Sequence, residues 1–222
     1  MSLKTTLAQV ASIQVGKAMA HTLPNGKEWV SAIGKQNVSG QVAVHAENME
    51  GDEQADRRYH GGPHKAVCWY AGAHYPFWRE TLHLELSHGA FGENITLSAA
   101  TEEDFCIGDV LQVGTVIFQV SQPRFPCVKP GRLWNRPRMP HLMEETGFTG
   151  FYTRVQHTGV IEAGQSVVLL ERPHPGWTIA RANRIMHAED STLEEREGLR
   201  ALEPLAPEWK RALSRRLQQR EG

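Results

Sequence analysis

The stretch from Val120 to Gly131 sets one cysteine among prolines and cations, the most reactive grouping in the chain. A β-branched, apolar run ends at Val120. Cys127 then sits among Pro123, Pro126 and Pro130, with Arg124 three residues before it and Lys129 two after. Each proline fixes φ and removes an amide donor, so a stiff loop is expected here, neither helix nor ladder strand. The two cations are near enough in sequence to favour the thiolate, the form of cysteine that attacks or binds metal. The competing reading is a small hydrophobe buried in a loop; the flanking charges and prolines favour a function.

A second stretch offers anion chemistry. Gly51 to Lys65 is polar and glycine-rich and runs into the apolar Ala66 to Tyr70. His60, Gly61, Gly62 and Lys65 could bring bare backbone N–H groups and a cation to an anion, because glycine permits close approach. A tight turn with solvated charges would read the same way. A zinc site built from His60, His64 and His74 is disfavoured: an HxxxH pair shares one metal when helical, and Gly61, Gly62 and Pro63 forbid a helix there. Asn94, next to Glu93 at a strand entrance, has the donor and acceptor groups to read a polar ligand or to bond its own backbone. Cys68 and Cys106 lie in or beside apolar strands with no adjacent cation and read as packing residues.

The elements that must position these groups are mainly strands. Leu7 to Val15, Trp29 to Ile33 and Val42 to Val44 are short strand patterns separated by turns, which fits antiparallel meanders. Val110 to Val113 and Val116 to Val120 form a hairpin hinged on Gly114, and its second strand delivers Cys127. Trp78, Leu82 and Leu86 recur at four-residue spacing, predicting an amphipathic helix from Tyr75 to Leu86, begun near Pro76 and stopped by Gly89. Beyond the thiol, Arg132 to Pro140 is basic and proline-broken, Leu142 to Thr146 and Phe151 to Gln156 read as short helical pieces, and Gln165 to Leu170 as a strand. Arg172 to Gly176 is linker chemistry. Three helices follow, Ile179 to His187, Thr192 to Leu202 and Ala206 to Leu217, the last with Pro207 in its first turn and Trp209, Leu213 and Leu217 on one stripe. Each is marginal alone and must pack on a neighbour. Lys210, Arg211, Arg215 and Arg216 form a basic face, either an ordinary solvated one or a dock for an acidic partner. The expected class is α+β, mainly β, with domains at 1–172 and 177–222.

Composition bounds the function. At 222 residues the chain can bury a normal core. A net charge of −1 with 40% hydrophobic residues gives no global field for a nucleic-acid polymer or polyanionic surface. Three separated cysteines without a CxxC argue against a disulfide framework and for a reducing compartment. The opening residues lack a signal-peptide apolar core, and no run approaches the roughly 20 apolar residues that span a bilayer. A soluble, cytoplasmic protein is expected.

Taken in order, Gly51-Asp52, then His60, Gly61, Gly62 and Lys65, then Phe91 to Asn94, Gly108-Asp109, Gln122 to Cys127 and the three-helix tail resemble the MOSC proteins (molybdenum cofactor sulfurase C-terminal domain), in their YiiM-like branch. The resemblance spans nearly the whole chain. It implies a β-barrel-like fold with few helices, a bound molybdenum cofactor (Mo-molybdopterin), and reduction of N-hydroxylated compounds such as hydroxylamino-purine bases, with electrons from a flavin-type reductase. It makes Cys127 the thiolate ligand of molybdenum, which suits a soft metal–sulfur bond. It makes Arg124 and Lys129 cation partners of cofactor or thiolate. His60, Gly61, Gly62 and Lys65 would line the phosphate or substrate side, Asn94 the pterin side, and Lys35 falls where similar proteins carry a lysine. His60, whose ordinary pKa is near neutrality, would be the proton donor. Two other readings use the same residues: a persulfide carrier on Cys127, and a molybdopterin-binding module without chemistry. A homodimer is a further expectation for a chain with such a tail.

Overall fold

The computed structural model describes residues 5–56 and 61–218. In chain order the elements are β1 (Thr5–Val15), β2 (Met19–Thr22), β3 (Glu28–Ser31), β4 (Gln36–Asn37), β5 (Val42–Val44), β6 (Val67–Ala71), α1 (Tyr75–Leu82), β7 (Ile95–Leu97), β8 (Val110–Val113), β9 (Val116–Pro123), α2 (Val128–Leu133), α3 (Met139–Thr146), β10 (Phe151–His157), β11 (Gly159–Ile161), β12 (Ser166–Glu171), α4 (Ile179–His187), α5 (Leu193–Ala201) and α6 (Pro207–Gln218). Seven strands close on themselves in the order β1-β12-β8-β9-β10-β6-β7 and back to β1, while β4 hangs on the outer end of β1. Closure removes the sheet edges. The ladder is antiparallel except where β6 meets β7, with Trp69 opposite Ile95; α1 lies in that crossover. The pairs β2–β3 and β5–β11 lie outside the ring.

The barrel interior is filled by residues that alternate along each strand. Trp69 stands at its centre, edge-on to Phe118 at 5.2 Å and stacked on Phe151 at 5.8 Å. Its indole N–H donates to Thr153 Oγ1 at 2.9 Å, so the one polar group of that ring is satisfied. Long strands must bend to close a barrel, and β1 does so with register shifts between Thr6 and Ala8 and between Val10 and Ser12.

Three sequence expectations are corrected. Phe151 to Gln156 is not helical: Phe151–His157 is β10, central between β6 and β9. Buried Phe151 and Thr153 alternate with less buried neighbours, and Thr153 and Val155 are β-branched, which a pleated surface favours. The thiol segment is not all loop. Ser121, Gln122 and Pro123 continue β9, with Pro123 at the terminal rung opposite Phe151, and Val128–Leu133 is helix α2. Pro130 is tolerated because first-turn amides have no intrahelical acceptor. Helix α1 ends at Leu82, before Gly89, because His83 takes the left-handed conformation at φ 51°.

The three tail helices form as read. Thr178 caps α4, and Thr192 with Glu195 makes a capping box on α5. Ile179, Ala182, Ile185, Leu199, Trp209 and Leu213 join one buried cluster with the barrel residues. Polar bonds hold the seam: Ala206 N–H donates to Ser121 O at 3.0 Å and Arg154 Nη1 to Pro204 O at 2.8 Å. Asp109 of the Gly108-Asp109 turn accepts two bonds from Arg172 of the linker, at 3.0 and 2.7 Å. That motif residue therefore pins the junction. Among the described residues no helix is long and apolar enough to cross a membrane.

Candidate functional site

Strand β9 carries the chain to the site. Arg124 N–H makes a further bond to Gly150 O at 3.0 Å, where a Cβ on Gly150 would lie 2.2 Å from Trp69 O. Only glycine allows that approach. Phe125 and Pro126 then lead to Cys127, extended, partly buried and immediately before α2.

Cys127 lies on the wall shared by two adjoining cavities. The first, of about 70 Å³, is also lined by Lys35, Asp52, Gly61, Lys65, Asn94, Arg124 and Lys129. Four stretches far apart in sequence, around Lys35, from Asp52 to Lys65, at Asn94 and from Arg124 to Lys129, thus bring together nearly every residue read as a site. The second, of about 340 Å³, has apolar walls from Val30, Phe125, Pro126 and Val128, with Lys65, Lys129 and Tyr152 common to both. One side of the thiol is therefore charged and narrow, the other wider and largely apolar.

The cations are held in different ways. Lys35 Nζ meets Asp52 Oδ1 at 2.5 Å, with both side chains buried. Asp52 is held in turn: Oδ1 accepts Gly16 N–H at 2.9 Å and Oδ2 accepts Asn94 Nδ2 at 2.9 Å. Asn94 also donates to Gln14 O and accepts Cys68 N–H at 3.1 Å, so its amide props Asp52 under Lys35. Buried Arg124 donates to Phe91 O at 2.7 Å, and its Nη1 lies 3.8 Å from Cys68 Sγ. Lys65 pairs with Glu208 of α6. Burial depresses the pKa of Lys129, with Arg124 and Arg132 adding to the effect and Cys127 and Asp56 opposing it. An anion arriving there would favour its charged form.

Gly61 and Gly62 both take positive φ, 86° and 80°, and lead into the short 3₁₀ turn Pro63–Lys65 that places Lys65. A Cβ on Gly61 would strike Gln54, whereas nothing lies within 4 Å of one on Gly62; Gly61 lines the narrow cleft. His60, read as the proton donor, lies outside the described residues. His64 and His74 go elsewhere: His64 Nδ1 accepts from Arg154 Nε at 2.7 Å, and His74 pairs with Glu102 at 2.6 Å.

Sequence reasoning missed five participants. Asp52 stood inside the motif but was not read as a site residue. Cys68 was read as packing without a cation, and the structure corrects this: Arg124 reaches it from 56 residues away in the chain. Burial raises the Cys68 thiol pKa, with Arg124 opposing. Tyr152 lies beside both thiols and hydrogen-bonds Cys68; burial raises its phenol far above the ordinary value, so it stays protonated. Gln122 lines the wider chamber, and its buried Oε1 has no hydrogen-bond partner. Glu208 arrives from the tail. Only Asp52 and Gln122 carried a local signal, as members of the quoted motifs.

A closed seven-stranded barrel with one partly buried thiol between a cationic cleft and a largely apolar chamber, backed by three helices, defines a thiol-centred barrel protein. The chain belongs to the MOSC domain family: residues 56–168 match the MOSC domain and residues 177–220 the YiiM-like, 3-alpha helix domain. It is 41% identical to YflK of Bacillus subtilis over 201 residues, 90% of each chain. It is 38% identical over 172 residues to a protein of Gibberella moniliformis named "Reductase", covering 76% of this chain and 30% of that one. The crystal structure of YiiM from Geobacillus stearothermophilus superimposes with a TM-score of 0.80 at 35% identity, covering 95% of this chain and 99% of that one.

Proposed function

We propose that this protein is a molybdenum-cofactor-dependent oxidoreductase that reduces N-hydroxylated compounds of the hydroxylamino-purine type. The observation that carries the reading is the position of Cys127, on the wall shared by a cationic cleft and an apolar chamber. Family membership and the relative named "Reductase" support it.

The residues present fit the cofactor. One accessible thiol is a soft ligand for molybdenum, and Arg124 and Lys129 would offset the charge of a dithiolene and phosphate, beside Lys35 and Lys65, whose charges Asp52 and Glu208 already balance. Bare backbone at Gly61 and Gly62 can approach the phosphate closely. When bound, the group supplies two-electron chemistry at a sulfur-held metal; the protein holds and tunes it. The net reaction turns N–OH into N–H: two electrons and two protons enter and water leaves. A flavin-type reductase is the proposed electron source.

The chain's own residues do the rest. Val30, Phe125 and Val128 offer an apolar surface to a base on one side of the thiol. The protonated phenol of Tyr152 can donate a hydrogen bond near the thiol, and His60 is proposed to deliver a proton to the leaving oxygen.

Molybdenum and pterin content of protein purified from a host that makes the cofactor tests the reading, for wild type and Cys127→Ala together. Near-stoichiometric metal that is lost in the variant, with N-hydroxylated base reduction lost alongside it, is expected. No metal in either protein, with a stable extra sulfur on Cys127, would replace this function with that of a sulfur carrier.

A further inference from the structure

The wider chamber beside Cys127 meets a further groove at Val128, and the same two elements bound both. The start of α2 gives Val128, 54% exposed, to the chamber and to the groove, whose volume is about 410 Å³. The β2–β3 hairpin gives Val30 to the chamber, and its turn gives Leu23, Pro24 and Asn25 to the groove. The trough between hairpin and helix therefore runs on past the thiol, and each part has the volume of a small-molecule site.

Arg132 marks the far part. It lines the groove one turn beyond Val128 on the same face of α2, about 6 Å along the helix axis. The side chain is exposed, and among the described residues it makes no ion pair. Its guanidinium carbon lies over the Trp29 ring, 5.9 Å from the centroid, and Trp29 is stacked at 4.7 Å on His21, its partner across the hairpin. A guanidinium held against a ring is restrained, while the edge of its fork stays open to an anion. Among the described residues no carboxylate lines the groove, so Arg132 is its one charge. Asn135, three residues further on, adds an amide to the same wall. A positioned, unpaired cation in this place suits the anionic end of a molecule whose other end lies beside Cys127.

We propose that this groove is the phosphate subsite of the substrate, and that the substrate is an N-hydroxylated purine nucleoside 5′-monophosphate instead of the free base. The base lies on the apolar surface beside Cys127, the ribose crosses Val128 with the Asn135 amide facing its hydroxyls, and Arg132 takes the phosphate through its planar fork. The base end rests on the reduction proposed above; the phosphate end rests on the groove alone.

The test uses protein purified from a host that makes the cofactor, as wild type and as Arg132→Gln, a change at an exposed position. Both are titrated calorimetrically with adenosine 5′-monophosphate, adenosine and inorganic phosphate, and assayed with the hydroxylamino-purine base and its nucleoside 5′-monophosphate. Wild type should bind the monophosphate roughly tenfold to a hundredfold more tightly than adenosine, the worth of a charged hydrogen bond, and far more tightly than phosphate alone. Its kcat/KM should favour the nucleotide over the base by a similar factor, and both ratios should approach one in Arg132→Gln. Equal affinity for nucleoside and monophosphate, phosphate bound as tightly as the nucleotide, or a preference kept by folded Arg132→Gln would overturn the proposal. Reduction of the base with no preference for the nucleotide sinks the subsite and leaves the reaction. A binding preference that is lost in the variant, with neither compound reduced, sinks the reaction and leaves the subsite.

Discussion

Trp209 of α6 stacks on Phe125, ring centroids 4.7 Å apart and planes 18° apart, two residues before Cys127. The last helix is thereby packed against the thiol segment, and Glu208, its neighbour in sequence, pairs with Lys65 at the same mouth. Trp209 is fully buried, so Trp209→Ala should cost about 3–5 kcal/mol by lost burial and cavity formation. Trp209→Phe, which keeps a stacking ring, should cost much less. Urea unfolding of both variants checks this; a loss below about 1 kcal/mol for alanine would mean that the stack does not hold the tail.

The buried Lys35–Asp52 pair makes a sharper case, because removing one partner strands the other charge. Asp52→Ala should destabilise by about 3–5 kcal/mol, and Lys35→Met/Asp52→Leu by distinctly less. A double-mutant cycle in urea gives the coupling. Additive single effects would show that the pair is not a unit.

The three thiols should react at different rates. Burial pushes the Cys106 thiol pKa up to about 11 and raises that of Cys68, whereas Cys127 is only partly buried. A thiol at that pKa is only ~0.1% thiolate at pH 8. An aromatic disulfide reagent on the native protein should therefore show one fast equivalent, absent in Cys127→Ser. Two fast equivalents in wild type would contradict the arrangement.

Stability should fall in mild acid. Burial holds His64 and His187 below their ordinary value of 6.5, with Arg154 adding to the effect at the first and Glu144 opposing it at the second. The unfolded chain takes up these protons near pH 6.5 and the folded chain only at lower pH, so their contribution is full above that value and is lost as pH falls through it. The urea midpoint should drop between pH 7.5 and 5.5, and drop less in His64→Gln/His187→Gln. Equal drops in both proteins would remove these histidines as the cause.

Local signals read well where local physics governs. The Val110–Val120 hairpin, the three tail helices with their caps and the Trp209–Leu213 stripe all formed as their periodicity and turn residues required. Phe151–His157 was misread because the glycines before it suggested breaks between helical pieces, although Phe151, Thr153 and Val155 recur at strand spacing; its place between two neighbouring strands chose the extended form. The prolines around Cys127 also misled, since Pro123 at a ladder's last rung and Pro130 in a first helical turn cost no hydrogen bond.

The thiol, its flanking cations, the glycine pair and the order of motifs are legible in the chain before it folds, because these depend on residue type and near-neighbour spacing. That Asn94 props Asp52, that Arg124 lies on Cys68 and that Glu208 closes on Lys65 follow from the assembled fold alone. Those contacts join residues up to 143 positions apart, and barrel closure brings them together; no local pattern encodes a distance across a closed sheet.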